Sequence, residues 1–91
     1  MVAKIIIKEA VDMILKGYTR IDSRQYVALL NQFQYLRESV ERNTGKMETV
    51  AERDADGLRA VIGFFFEASM IKRDQREKLW HLIDEIRDEN K

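Results

Sequence analysis

Apolar side chains recur every three or four residues along most of this 91-residue chain, and no proline interrupts them. This interval places apolar residues on one face of an α-helix, whereas β-strands need alternation, of which the sequence has little. Ninety-one residues supply one core, and 45% hydrophobic residues are too many for a disordered chain. The sequence therefore predicts a single all-α domain, residues 1–91, built as a small bundle of four main helices in two helix hairpins.

The first hairpin follows from helix-start and helix-stop residues in the first half of the chain. Its first helix is expected at about 3–16, where Gly17 would form a left-handed C-terminal cap. Its second helix is expected at about 22–43, because Asp22 and Gln25 have the spacing of a capping box, in which each side chain bonds the other residue's backbone.

The second hairpin is expected to comprise helices at about 49–69 and at 72–88 or 74–88. A glycine inside a helix costs about 1 kcal/mol relative to alanine, so Gly57 suggests a break in the third helix. Gly63 suggests a close crossing between helices. The capping boxes expected in this half pair Thr49 with Glu52 and Asp74 with Glu77.

The two hairpins also resemble each other when the sequence is displaced by fifty residues. Either an internal duplication or two amphipathic hairpins of similar length would produce such a match. The aligned pairs include Ile21 with Ile71, Gln25 with Gln75, Leu29 with Leu79, Leu30 with Trp80, Phe33 with Ile83, Leu36 with Ile86 and Leu15 with Phe65.

Charge and cysteine content exclude several classes of protein. The 16 basic and 16 acidic residues give no global field that would attract nucleic acid or an anionic membrane. The chain has no cysteine, which excludes disulfides and thiolate metal sites. No segment approaches the roughly 20 apolar residues that a membrane span needs. We therefore expect a cytoplasmic protein without a membrane contact.

Catalytic motifs are also lacking. His81, followed by Asp84 and Glu85, has no second ligand set for a metal and is expected to be a surface residue. Residues 52–57 resemble the start of a calcium-binding loop, but Gly63 stands where the bidentate acid should be. Phosphate-binding glycine loops and nucleophile motifs are not found. The sequence predicts a non-enzyme that uses no cofactor and no metal.

An excess of aromatic and aliphatic residues outside the main helical stripes favours a protein interface. Three consecutive phenylalanines, 64–66, point about 100° apart on a helix and cannot all enter one narrow stripe. Exposed apolar patches usually form interfaces, and a homodimer would cover one. We therefore expect a small interaction or regulatory module that is homodimeric and binds another protein. The expected interface residues are Tyr18, Tyr35, Phe64, Phe66 and Trp80.

Nucleic-acid binding is the alternative, because a helix, a turn and a second helix with basic residues at its start have the outline of a helix-turn-helix. In that case the start and the polar face of the second helix would contact phosphates and base edges. The residues expected to do so are Arg20, Arg24, Gln32 and Arg37.

Overall fold

Four α-helices make up the protein in the computed structural model, which describes residues 4–42 and 48–89, with side chains from residue 52 in the second range. Helix α1 is Ile7–Leu15, α2 is Ser23–Arg42, α3 is Glu48–Glu67 and α4 is Arg73–Arg87. The described residues contain no strand. The predicted all-α bundle of four helices is therefore confirmed.

The helices surround one core. Helix α1 packs against α2 and α4, and α3 packs against the same two helices. Every helix contributes to the core the apolar face formed by residues spaced three or four apart, as expected for amphipathic helices. The buried apolar residues are Ile7, Val11, Leu15, Leu29, Phe33, Leu36, Ala55, Leu58, Ile62, Phe65, Ile71, Leu79, Leu82, Ile83 and Ile86.

The helix starts lie within one residue of the prediction in α2 and α4 and differ from it in α1. In α2 the Asp22 N–H donates to Gln25 Oε1 at 2.9 Å and the Gln25 N–H donates to Asp22 Oδ1 at 2.8 Å, which confirms the box. Helix α1 begins four residues later than predicted, because the backbone before Ile7 is extended. The Thr49–Glu52 box lies outside the described side chains.

Helix α4 begins at Arg73, and the predicted box between Asp74 and Glu77 is wrong. The Lys72 N–H instead donates to Gln75 Oε1 at 2.8 Å, so Gln75 caps this helix as Gln25 caps α2. The predicted box fails because it would start the helix two residues too late.

Of the predictions made for Gly17, Gly57 and Gly63, the structure confirms only the one for Gly17. Gly17 has a φ of +96°, which confirms it as the left-handed residue after α1. Helix α3 continues through Gly57 without the suggested break, because Ala55 and Leu58 bury their side chains on either side of it. Gly63 does not lie at a close crossing, since a Cβ placed there meets no atom within 4 Å.

The two glycine environments predict substitutions of opposite sign. Gly63→Ala is expected to raise the free energy of unfolding by about 0.5–1 kcal/mol, because alanine restricts the unfolded chain and fits the space. Gly17→Ala is expected to lower it by about 1 kcal/mol or more, because its φ strains an L residue. Urea denaturation measures both; a Gly63→Ala protein less stable than the wild type would show that the helix cannot accept a methyl group there.

Residues fifty positions apart occupy equivalent places in the two hairpins. Leu29 and Leu79 are both fully buried, and so are Phe33 and Ile83. The hairpins meet at their turns, residues 16–22 and 68–72, where the Arg20 N–H donates to the Met70 carbonyl at 2.8 Å. The turns therefore lie together at one end of the bundle, here named the turn end, and the opposite end is named the terminal end.

Candidate interaction surfaces

An exposed surface with two aromatic rings follows the seam between α2 and α3, and we name it the α2–α3 face. Its residues are exposed, uncharged and spaced as one stripe on each helix. Two of them are large: Tyr35 is 57% exposed and Phe64 is 59% exposed. The α2–α3 face consists of Ala28, Gln32 and Tyr35 from α2, Gly57 and Phe64 from α3, and Ala68 directly after the end of α3.

A hydrogen bond between the two helices fixes the register of this face. The Ser39 hydroxyl donates to the Asp54 carboxylate. One turn from this bond, at the rise of about 1.5 Å per residue, Tyr35 lies level with Gly57. Phe64 follows Gly57 by seven residues on α3 and lies about 10.5 Å farther along the helix axis. Both aromatic predictions on this face, Tyr35 and Phe64, therefore occupy one continuous surface.

The other three residues predicted for the interface lie elsewhere and already have partners within the chain. The Arg76 guanidinium lies between the rings of Phe66 and Trp80, 4.5 Å and 4.6 Å from their centroids. The Tyr18 hydroxyl donates to the Ser69 carbonyl at 3.0 Å, and Lys72 Nζ lies 5.1 Å from the Tyr18 ring centroid. These cation–π and hydrogen-bond contacts account for rings that the sequence left outside the core stripes.

A second apolar surface lies on the opposite flank, between α1 and α4, and we name it the α1–α4 groove. It is an open groove of about 380 Å³. Met13 on α1 is 76% exposed and was not predicted as an interface residue. Apolar residues Ile5, Ala10, Ile14 and Leu82 and charged or polar residues Glu77, Lys78, His81 and Glu85 line this groove.

A polar cluster joins α1 to α2 beside a second open groove of about 420 Å³. Lys8 Nζ donates to Asp12 Oδ2 at 2.8 Å, and the Tyr26 hydroxyl donates to the other carboxylate oxygen. These two hydrogen bonds hold the pKa of Asp12 below its ordinary value, and the Asp12 carboxylate raises the pKa of Lys8 and of the Tyr26 hydroxyl. The cluster is an exposed interhelical brace in which Lys8 and Tyr26 both donate to one carboxylate.

Of the residues predicted to contact nucleic acid, Arg20, Arg24 and Gln32 are exposed and Arg37 is not on that surface. The Arg37 guanidinium donates to Glu89 Oε1 at 2.6 Å and to the Ile5 carbonyl. Its side chain turns toward α1 and the end of α4, because α2 presents that face to the bundle. Gln32 belongs to the α2–α3 face, so the four predicted residues do not form one site.

The described residues do not contain a grouping of His, Asp and Glu that could hold a metal ion. His81 Nε2 lies 3.3 Å from Glu85 Oε1, one turn away on an exposed part of α4. Within the same residues, none of the helices is both long and apolar enough to cross a bilayer. The surfaces that remain as candidates for function are the α2–α3 face, the α1–α4 groove and the basic residues of the turns.

Comparison of the chain with protein-family models, with curated proteins and with solved structures found no match.

Proposed function

We propose that this chain is a small non-enzymatic protein-interaction module that forms a twofold dimer through the α2–α3 face. The observation that carries the proposal is the pair of exposed aromatic rings, Tyr35 and Phe64, which lie in stripes of exposed uncharged residues. Apolar patches of this kind on small proteins usually form interfaces.

The arrangement of large and small residues on this face favours a second copy as the partner. Tyr35 on α2 lies level with Gly57 on α3, and Phe64 on α3 lies level with Ala28 on α2. Large and small residues therefore alternate diagonally across the seam. When a second copy is rotated by 180° about an axis along the helices, each Tyr35 faces a Gly57 and each Phe64 faces an Ala28.

Self-complementarity of this type is what a twofold interface requires, because the same patch must fit itself. The dimer would cover four aromatic rings, the residue type that dominates binding energy at interfaces. A small domain also buries a limited fraction of its surface alone, so a dimer extends its core. The α1–α4 groove on the opposite flank stays open in this dimer, and we propose it as the surface that binds another protein.

Light scattering coupled to size exclusion tests the dimer at micromolar concentration. The wild-type chain is expected to show twice the mass of the 10.8 kDa protomer. Phe64→Glu is expected to give a folded monomer, because it places two carboxylates against apolar surface at the twofold interface. The mass at which each variant elutes is the measurement, and circular dichroism checks that it stays helical.

Two exposed apolar residues outside the face supply matched controls. Val27 is 53% exposed and Met13 is 76% exposed, so Val27→Glu and Met13→Glu add the same charge to an exposed apolar position. Both variants are expected to remain dimeric. A monomeric wild-type chain, or a dimer that survives Phe64→Glu but dissociates in Met13→Glu, would contradict the proposed interface.

A further inference from the structure

Basic residues at the two ends of the bundle differ in how many of them form ion pairs. At the terminal end four cations are paired with carboxylates across or along helices, and Arg53 is exposed there without an ion pair to a described residue. At the turn end five exposed cations make no ion pair with any described residue. The terminal-end pairs are Lys4 with Glu41, Arg37 with Glu89, Arg42 with Glu38 and Arg87 with Glu52. The unpaired turn-end cations are Lys16, Arg20, Arg24, Lys72 and Arg73.

Backbone and ring contacts bring the two turns together, although the cations on and beside them come from opposite halves of the sequence. The Arg20 N–H donates to the Met70 carbonyl at 2.8 Å, so the two turns lie side by side. Lys72 lies over the Tyr18 ring, which is two residues from Arg20. Neither the +0 net charge nor the linear sequence shows this cluster, because it forms only when the turns meet.

Three carboxylates share the turn end, and they only partly offset the cations. Asp22 accepts the Gln25 N–H, while Glu67 and Asp74 are exposed. Five cations against three anions leave a surplus of two positive charges. Helices α2 and α4 also begin here, and a helix start carries a partial positive charge and free N–H groups that favour anions.

We propose that the turn end binds the phosphate backbone of a nucleic acid. Five separate Lys and Arg side chains, three on the two adjacent turns and two on the helix starts that follow them, fit a partner whose anionic groups are spaced along a strand. Recognition would be by phosphate and not by base edge, since Gln32 lies on the α2–α3 face and Arg37 is paired inside the bundle. This inference does not depend on the proposed dimer, because it uses different residues.

The surroundings of the cations favour nucleic acid over a lipid surface or an acidic protein. The exposed large apolar residues Ile6, Met13, Val27, Tyr35 and Phe64 all lie outside the turn segments 16–22 and 68–72. A membrane-surface site needs apolar residues that enter the interface, and a protein interface needs an apolar centre. The turns offer neither, whereas binding to phosphates needs mainly cations.

Fluorescence anisotropy with a labelled mixed-sequence DNA duplex tests the proposal, using the full chain. Affinity is expected to fall at least tenfold between about 50 and about 200 mM salt, because each neutralised phosphate releases counterions. Arg20→Glu combined with Lys72→Glu is expected to weaken binding at least tenfold at the lower salt and to reduce the salt slope by about 2. Circular dichroism and the elution mass check that the variant keeps its fold and its assembly state.

Arg53 provides the matched control, since it is exposed on α3 and lies outside the turns. Arg53→Glu changes the net charge in the same direction and is expected to weaken binding less than twofold. Three results would each overturn the proposal: no binding of the wild-type chain at the lower salt, equal losses in the Arg53 and turn-end variants, or binding to phosphatidylserine vesicles without binding to the duplex. Loss of duplex binding in the turn-end variant with an unchanged dimer would support it.

Discussion

Replacing Gln75 with alanine is expected to lower the free energy of unfolding by about 3 kcal/mol, the largest effect that we expect from a single polar side chain in this protein. Gln75 is 3% exposed, and its side chain makes three hydrogen bonds. Its Nε2 donates to the Ile14 carbonyl at 3.1 Å and to the Tyr18 carbonyl at 2.6 Å, while its Oε1 accepts the Lys72 N–H at 2.8 Å. Alanine would leave all three backbone groups without this partner.

Gln25 is the matched control, because it occupies the equivalent position in α2. Its side chain accepts the Asp22 N–H at 2.9 Å but makes no bond to another element of the fold. Gln25→Ala is therefore expected to cost only about 1 kcal/mol, the typical value of a lost cap. Urea denaturation of both variants measures the difference, and equal losses would show that the two carbonyl contacts of Gln75 contribute nothing.

Arg37→Ala is expected to lower the free energy of unfolding by about 2 kcal/mol. The side chains of Arg37 and Glu89 are 14% and 10% exposed, so the carboxylate left behind would lose its partner in a largely dry environment. The same substitution removes the bond from Arg37 to the Ile5 carbonyl, which connects α2 to the start of α1. The expected cost lies below that of a fully buried pair, because Glu89 follows the end of α4 and can reach water.

Arg24 is the comparison for this second prediction, since it is an exposed arginine on the same helix without an ion pair. Arg24→Ala is expected to change stability by less than about 0.5 kcal/mol. A double-mutant cycle of Arg37→Ala with Glu89→Gln should give a coupling of about 1–2 kcal/mol. If the cycle gives no coupling, the pair is not a stabilising contact and Arg37 acts only through the Ile5 carbonyl.

Features that depend on neighbouring residues in the sequence could be predicted from it. The apolar intervals specify which side of each helix is buried, because helix geometry alone relates residues three and four apart. The Asp22–Gln25 box and the left-handed Gly17 were predicted for the same reason, since each is complete within one turn of chain. Fold class and approximate helix bounds therefore followed from local patterns.

Features that depend on which helix faces which could not be predicted in this way. The pattern of α2 alone does not separate Arg37 from the exposed polar residues of that helix. Arg37 forms its ion pair with Glu89 only because the end of α4 lies beside α2. Gln75 is a polar residue whose burial requires the end of α1 to lie beside it. The room around Gly63 likewise depends on how closely the next helix approaches, which no single-helix pattern contains.

The candidate surfaces show the same division. The run Phe64 to Phe66 indicated that one ring must leave the core stripe, and the structure exposes Phe64 while it buries Phe65. Tyr18, Phe66 and Trp80 were predicted as interface anchors from their residue type and their place outside the main stripes, and the structure instead sets cations against their rings. Lys72, over Tyr18, is distant in sequence, whereas Arg76 lies one turn before Trp80 on α4. Arg20 and Arg24 were predicted to contact nucleic acid, but their grouping with Lys16, Lys72 and Arg73 was not, because the two turns contribute to it separately.

The buried amide of Gln75 favours one register of α4 against α1 over others. The leucines and isoleucines of α4 repeat at the helical interval, so a slip by one turn, about 5.4 Å, would offer each of them another apolar neighbour. Such a slip would carry Gln75 away from the Ile14 and Tyr18 carbonyls and leave polar groups buried without partners. Apolar contacts hold the bundle together, and this amide penalises packing arrangements in which α4 is out of register with α1.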